Sequence, residues 1–224
     1  MKLRYLGHSA FLITTNEGLD ILIDPYLDRN PLAPIKSTQI KADYIVLTHA
    51  HGDHLGDALH IAKMGATTFI CVSELASLIS KRGHKVHAMQ IGGAFNFPFG
   101  RLKLVPAMHG SMTPEGQYGG LAAGVLMQID GKTIYHSGDT GIFGDMQLIG
   151  QMNHIDIALL PIGGNYTMDA TDALWALDLL LPDLTIPMHY NTFEVIQADA
   201  EGFARQAAIK GYKVRVLQPG QLLE

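Results

Sequence analysis

Apolar residues in this chain come first in short runs broken by turn residues, then in runs alternating with helical periodicity. Residues 2–6, 10–15 and 19–24 read as three strands. Asn16-Glu17-Gly18 turns the second into the third, giving an antiparallel meander. A proline-bearing polar loop, 25–41, leads to a short buried strand at 44–47. Leu55, Ala58, Leu59 and Ala62 stand at helical spacing, so a helix is expected from Asp53 and His54 to a stop at Gly65. A strand at 67–72, a helix at 73–82 with Ser73 as its N-cap and Gly83 as its terminator, and a strand at 85–91 follow. Hairpins are predicted at 95–99 with 101–107, and at 121–129 with 132–135. The first turns at Gly100 and the second at Asp130-Gly131, a strong type I′ signal. The pattern then alternates: helix 143–152, strand 155–160, helix 170–181 stopped by Pro182, strand 184–188, helix 199–210 and a last strand at 213–217. Both halves run strands first, then strand-helix alternation. Two sheets packed face to face with helices outside would bury these runs.

Composition narrows the class. At 224 residues with 47% hydrophobic content the chain suits a sizeable core, and one domain over 1–224 is expected. A net charge of −5 argues against a nucleic-acid partner, which calls for a basic face. Cys71 is the only cysteine, so no intrachain disulfide forms, and its apolar run makes it a buried small hydrophobe. The N-terminus lacks an apolar signal segment and no run approaches about 18 apolar residues. A cytoplasmic protein without membrane insertion is the expectation, and a homo-oligomer is compatible with it.

Chemistry concentrates where the strand at 44–47 ends. The stretch Thr48-His49-Ala50-His51-Gly52-Asp53-His54 sets three histidines and an aspartate within six positions. In extended chain, side chains two apart share a face, so His49 and His51 can aim at one point. Asp53 and His54 open a helix and turn toward a second point. A lone histidine is usually core or surface; a cluster of this density is far better explained by metal. His109, Asp139 and His189 each follow an apolar strand and precede small or polar residues. Five histidines and two aspartates suit two ions, with Asp139 reaching both. His60, His84 and His87 have no partners in the sequence and read as structural, as does His136. Asp24 is a candidate acceptor for a ligating histidine, and Tyr190 and Asn191 are candidate substrate contacts. Asp169 and Asp172 read as helix caps.

The order T-H-A-H-G-D-H, then His109, S-G-D-T with Asp139, then His189 resembles the metallo-β-lactamase superfamily over essentially the whole chain. G-H-S-A-F at 7–11, D-P at 24–25 and P-M-H-Y-N-T-F at 187–193 are similar to a short group of uncharacterised metal-dependent hydrolases, related to ascorbate-phosphate lactonases and lipid phosphodiesterases. The resemblance implies an α/β, four-layer αββα sandwich of two mixed sheets flanked by helices. It also implies one ion held by His49, His51 and His109, a second by Asp53, His54 and His189, and Asp139 as the bridge. Imidazole and carboxylate donors suit zinc first, with manganese, nickel and iron also compatible. The expected reaction is attack by hydroxide bound at a dinuclear centre on an ester, lactone or phosphodiester of a small molecule. Asp53 would orient the nucleophile, and His8 would act as an acid or substrate contact.

Other branches fit less well. Secreted lactamases need an export signal, and a cysteine-ligand subgroup needs Cys at position 139. Glyoxalase-type thioesterases carry an extra helical domain. Transfer-RNA-processing nucleases carry an arm and a basic surface, and flavodiiron reductases have a glutamate where His51 stands. Two alternatives remain: a nuclease or phosphodiesterase acting on nucleic acid or lipid, and a metal-binding module without turnover. A basic residue in a cleft loop would favour phosphorylated substrates, and Arg29, Lys36 and Lys41 are the candidates in 25–41.

Overall fold

The structure, a computed structural model, describes residues 1–223. In chain order the strands of the first sheet are β1 (Lys2–Gly7), β2 (Ala10–Thr14), β3 (Asp20–Ile23), β4 (Tyr44–Val46), β5 (Thr68–Val72) and β6 (Lys85–Met89). Helices α1 (Gly52–Leu55) and α2 (Ala58–Ala62) lie between β4 and β5, and α3 (Ser73–Ser80) between β5 and β6. The second sheet is built from β7 (Ala94–Phe97), β8 (Gly100–Pro106), β9 (Ala123–Ile129), β10 (Lys132–His136), β11 (Ile157–Pro161) and β12 (Leu184–Met188). Helices α4 (Met146–Met152), α5 (Ala170–Leu180) and α6 (Ala200–Ile209) belong to this half, and β13 (Leu222–Leu223) returns to the first sheet. The sheet orders are β13-β1-β2-β3-β4-β5-β6 and β12-β11-β10-β9-β8-β7. Each begins antiparallel along the chain and ends parallel, β3 to β6 in the first and β10 to β12 in the second.

The period-2 alternation of the second sheet divides the core in two. Val125, Met127, Ile134, Ile157 and Leu159 point into the cluster shared with the first sheet. Leu126, Tyr135, Ala158 and Leu160, one residue out of phase, pack with Ala173, Leu177 and Phe203 of the outer helices. A strand buried on both faces must be apolar at every position, which is why β11 reads as a continuous run. On the other side Leu75, Ala76 and Ile79 of α3 join Ile61 of α2 in the first cluster. The result is the αββα sandwich.

Three local expectations differ. The helix expected from Asp53 to Gly65 is two short helices, because Gly56 breaks it at φ 44°. Ser73 is not the cap of α3: Val72 holds that position, and the Ser73 hydroxyl donates to the Met89 carbonyl, tying the helix to β6. The last strand is not 213–217, where only Val214 bridges to Thr185; edge pairing is made instead by Leu222 and Leu223 against β1. Of the caps read at Asp169 and Asp172, Asp169 is the N-cap of α5, its carboxylate accepting from the Thr171 and Asp172 amides, while Asp172 lies within the first turn. Asp199, not read as a cap, caps α6 by accepting from the Gly202 amide.

Candidate metal centre

Strand ends from both sheets meet at one edge of the sandwich. His8 follows β1, Asp24 follows β3, and His49 to His54 follow β4; His109, Asp139 and His189 follow β8, β10 and β12. His8, Asp24 and His189 all take left-handed backbone conformations, at φ 57°, 43° and 54°. Such strain in non-glycine residues concentrates at functional sites. The His189 amide donates to the His8 carbonyl at 2.9 Å, so the ends of β1 and β12 fix one another.

The structure brings all seven expected ligands together. His51 Nδ1 lies 3.1 Å from His49 Nε2 and 3.2 Å from His109 Nε2. One in-plane lone pair or proton on His51 cannot serve both neighbours, whereas a cation between the three nitrogens can. Asp139 sits between this triad and the next, with Oδ1 3.1 Å from His54 Nε2 and Oδ2 3.0 Å from His189 Nε2. It also lies 3.6 Å from His109 Nε2 and 3.9 Å from His49 Nε2. Asp53 Oδ2 stands 3.8 Å from His189 Nε2 and 3.9 Å from His54 Nε2. Despite these short separations, His54 Nε2, His189 Nε2 and Asp139 Oδ1 are buried without a hydrogen-bond partner. Donor atoms this close yet misaligned for mutual bonding point at a common third position. Buried orphans of this kind call for an explanation, and they fit a cluster able to bind a metal ion.

Hydrogen bonds behind the ligands set which ring nitrogen faces inward. Asp24 is fully buried and accepts from Thr48 N at 2.9 Å, Thr48 Oγ1 at 2.6 Å and His54 Nδ1 at 2.7 Å. With its hydrogen committed to Asp24, Thr48 Oγ1 accepts from His49 Nδ1 at 2.9 Å. One carboxylate thus frees the Nε2 lone pair of a histidine in each triad, the arrangement that raises ligand basicity. His136 takes no part: its Nε2 donates to the Ser9 carbonyl and its Nδ1 accepts from Gly138 N, a structural role.

Burial opposes charge throughout. It drives His49 well below the ordinary histidine range, reinforced by neighbouring His54. At His54 it is outweighed by Asp139 and Asp24, which hold that ring well above the range. Burial likewise opposes charge on His189, but Asp139 raises it to about 9. Asp139 and Asp53 stay far below the usual carboxylate range: burial works against this, but His54 and His189 dominate it at Asp139, and His189 and His54 at Asp53.

His8 lies beneath Asp53 rather than on the cleft wall. Its Nε2 is 3.1 Å from Asp53 Oδ2 and its Nδ1 2.6 Å from Thr192 Oγ1. Burial and then His189 push it down to about 4, so it is neutral. A cleft of about 930 Å³ opens over the centre, with His51, Asp53, His109 and Asp139 in its floor and Tyr26, Tyr166, Phe193 and Val195 in its walls. Tyr190 and Asn191 are not among its lining residues; they border a smaller cavity of about 410 Å³. The four apolar wall residues escaped sequence reasoning. Only Phe193, within P-M-H-Y-N-T-F, and Tyr26, beside Asp24-Pro25, carried a signal, through proximity to a ligand or its support.

Residues 20–190 match the family model of the beta-lactamase superfamily domain. The chain belongs to the metallo-β-lactamase superfamily. Within the superfamily it is one of the UPF0173 metal-dependent hydrolases. It is 48% identical to such a protein of Carboxydothermus hydrogenoformans, covering 100% of this chain and 99% of the relative. It is 47% identical to one of Thermus thermophilus, covering 100% and 98%. Among solved structures, Igni18, a metallo hydrolase from the hyperthermophilic archaeon Ignicoccus hospitalis, superposes with a TM-score of 0.91 at 40% identity, over 99% of this chain and 97% of that one. The superfamily sandwich is the fold described above. Among the described residues, no helix is long and apolar enough to cross a membrane.

Proposed function

We propose that the protein hydrolyses an ester, lactone or phosphodiester bond of a small molecule at a dinuclear centre. His49, His51 and His109 would hold one ion, Asp53, His54 and His189 the other, and Asp139 would bridge. The observation carrying this reading is the set of buried ligand atoms, His54 Nε2, His189 Nε2 and Asp139 Oδ1, that approach one another without hydrogen bonding. The donor set is nitrogen and carboxylate oxygen only, which suits zinc, with manganese, nickel or iron(II) compatible. Two such ions supply Lewis acidity toward a carbonyl or phosphoryl oxygen and a water acidified to near neutral pH.

The residues around the centre do the rest. Asp53 lines the cleft, and its neighbouring histidines keep it ionised. So weak a base orients a nucleophile by accepting its hydrogen bond rather than removing its proton. Neutral His8, held by Thr192, donates to Asp53 and fixes that orientation. Tyr26, Phe193 and Val195 remove water from one side of the bound substrate and favour a small, partly apolar body. A nucleic-acid substrate fits poorly, since Arg29 is the single Lys or Arg lining the cleft.

The test strips the protein with a chelator and reloads it with zinc, manganese or nickel. Each form is screened against lactones, aryl esters and aryl phosphodiesters, beside Asp139→Ala and His51→Ala. Turnover is expected in at least one class, falling about 100-fold or more in both variants. Undiminished turnover in both would overturn the dinuclear reading. A protein with two bound ions that cleaves nothing would make it a binding module.

A further inference from the structure

The cleft over the metal centre is rich in acids and holds one cation, Arg29. Among the described residues its guanidinium has no carboxylate within ion-pair distance; most Lys and Arg of the chain share that, and what sets Arg29 apart is that it alone of them lines the cleft. Asp28, its neighbour in sequence, and Asp57, which lines the same cleft, each accept from other groups. Asp28 accepts from Ser37 N at 2.8 Å and Ser37 Oγ at 2.7 Å. Asp57 Oδ2 accepts from Leu27 N at 2.8 Å and Asp28 N at 2.9 Å.

The same bonds fix the backbone that carries Arg29. Its carbonyl accepts from Tyr26 Oη at 3.0 Å, and Asn30 Nδ2 donates to the Tyr26 carbonyl at 3.2 Å. Of the other basic candidates in this loop, Lys36 donates to the Asp28 carbonyl at 3.1 Å, and neither it nor Lys41 lines the cleft. Glu194 also lines the cleft, beyond ion-pair distance of Arg29. Tyr26 and Phe193 line the same cleft as Arg29, their ring centroids 6.2 Å apart and 5.5 and 5.4 Å from the ring of His8, which contacts Asp53.

An unpaired guanidinium on a hydrogen-bonded loop at the cleft, in a chain of net charge −5, has its fork of donors free for an anion. We infer that Arg29 binds an anionic group of the substrate, a carboxylate or a phosphate, separated from the scissile bond by a short spacer lying against Tyr26 and Phe193. The inference deepens the hydrolase reading and rests on it for the word substrate. A single fork-shaped donor suits one carboxylate or phosphate, not the repeating charge of a polynucleotide.

Metal-loaded full-length protein is assayed with 4-nitrophenyl butanoate and with the same ester bearing a terminal carboxylate or phosphonate. The wild type is expected to favour a charged ester over the neutral one about tenfold or more in kcat/KM. Arg29→Gln should collapse that ratio toward one, and Arg29→Lys should retain part of it. The preferred ester identifies the anion. An equal ratio in wild type and Arg29→Gln, or no preference in the wild type, overturns the inference. If no ester is cleaved, only the ester branch of the hydrolase reading fails, and calorimetric binding of glutarate and butylphosphonate still decides the role of Arg29. A Kd about tenfold weaker in Arg29→Gln supports an anion receptor there, and equal Kd values remove it. Thermal unfolding confirms that both variants are folded.

Discussion

Asp24 has no exposure, a left-handed backbone and three hydrogen bonds, two from Thr48 and one from His54. Its reach is wider than its position implies, because Thr48 relays it to His49 in the other triad. Replacing it with asparagine keeps size and tolerates φ 43°, since Asn visits the left-handed region with little penalty. It removes the charge that fixes the His54 tautomer and places an NH₂ among donors. Metal affinity of Asp24→Asn is expected to fall about 10- to 100-fold, measured by competition with a chromophoric chelator. Unchanged affinity would reduce Asp24 to a strand-end support. At this scale the sequence was informative about which side chains converge and much less so about what holds them in place. His or Asp directly after an apolar run is visible in one dimension, and so was Asp24 before a proline. The relay through Thr48, the descent of His8 beneath Asp53, and the Tyr166 and Val195 wall depend on residues far apart in the chain.

Helices α1 and α2 show how an element is shaped by what it must pass. A Cβ at Gly56 would stand 2.4 Å from the Pro25 carbonyl oxygen, and φ there is 44°. The Asp57 amide donates to that same carbonyl at 2.9 Å, so the break in the helix is bonded to the loop that carries Arg29. Gly56→Ala is expected to cost about 2–4 kcal/mol, combining backbone strain with the clash. Gly18, at φ 86° with nothing within 4 Å of an added Cβ, is the control: Ala there should cost about 1 kcal/mol. Urea midpoints at constant m-value measure both, and equal costs would mean the Pro25 contact is unimportant. Most elements were legible because burial on two faces or one writes itself as continuous or alternating apolar residues, as in β11 and β8, and because Asp130-Gly131 marks its turn. Gly56 was not legible, since one glycine inside a helical pattern reads as tolerated until a neighbouring carbonyl is known. The edge strand β13 was missed because two residues carry no period, while 213–217 has a strand's composition but only one bridge to β12.

Across the molecule the centre joins the two sheets. His49, His51, Asp53 and His54 come from the first, His109, Asp139 and His189 from the second, so metal held as proposed would tie the layers together, and without it their mutual electrostatics are exposed. Burial and neighbouring charges leave His8, at about 4, and His49 and His109, both lowered, neutral at pH 7. His54 is held well above the ordinary value, against the cost of burial, by Asp139 and Asp24, and His189 is raised from 6.5 to about 9. Those two rings are therefore protonated in metal-free protein, and each must lose its proton to become a ligand. A raised folded-state pKa adds stability that is complete below 6.5 and is lost as pH climbs through about 9. Metal-free protein is thus expected to lose thermal stability as pH rises from 6.5 through about 9, while metal affinity rises over the same interval. Asp53 and Asp139, lowered rather than raised, titrate only in acid and do not blur this window. Near pH 7, loading should release about two protons from these rings, read as a dependence of calorimetric binding heat on buffer ionisation enthalpy. Heat independent of buffer, together with a metal-free melting temperature that is flat from neutral to alkaline pH, would mean that Asp139 does not hold His54 and His189 charged before the metal arrives.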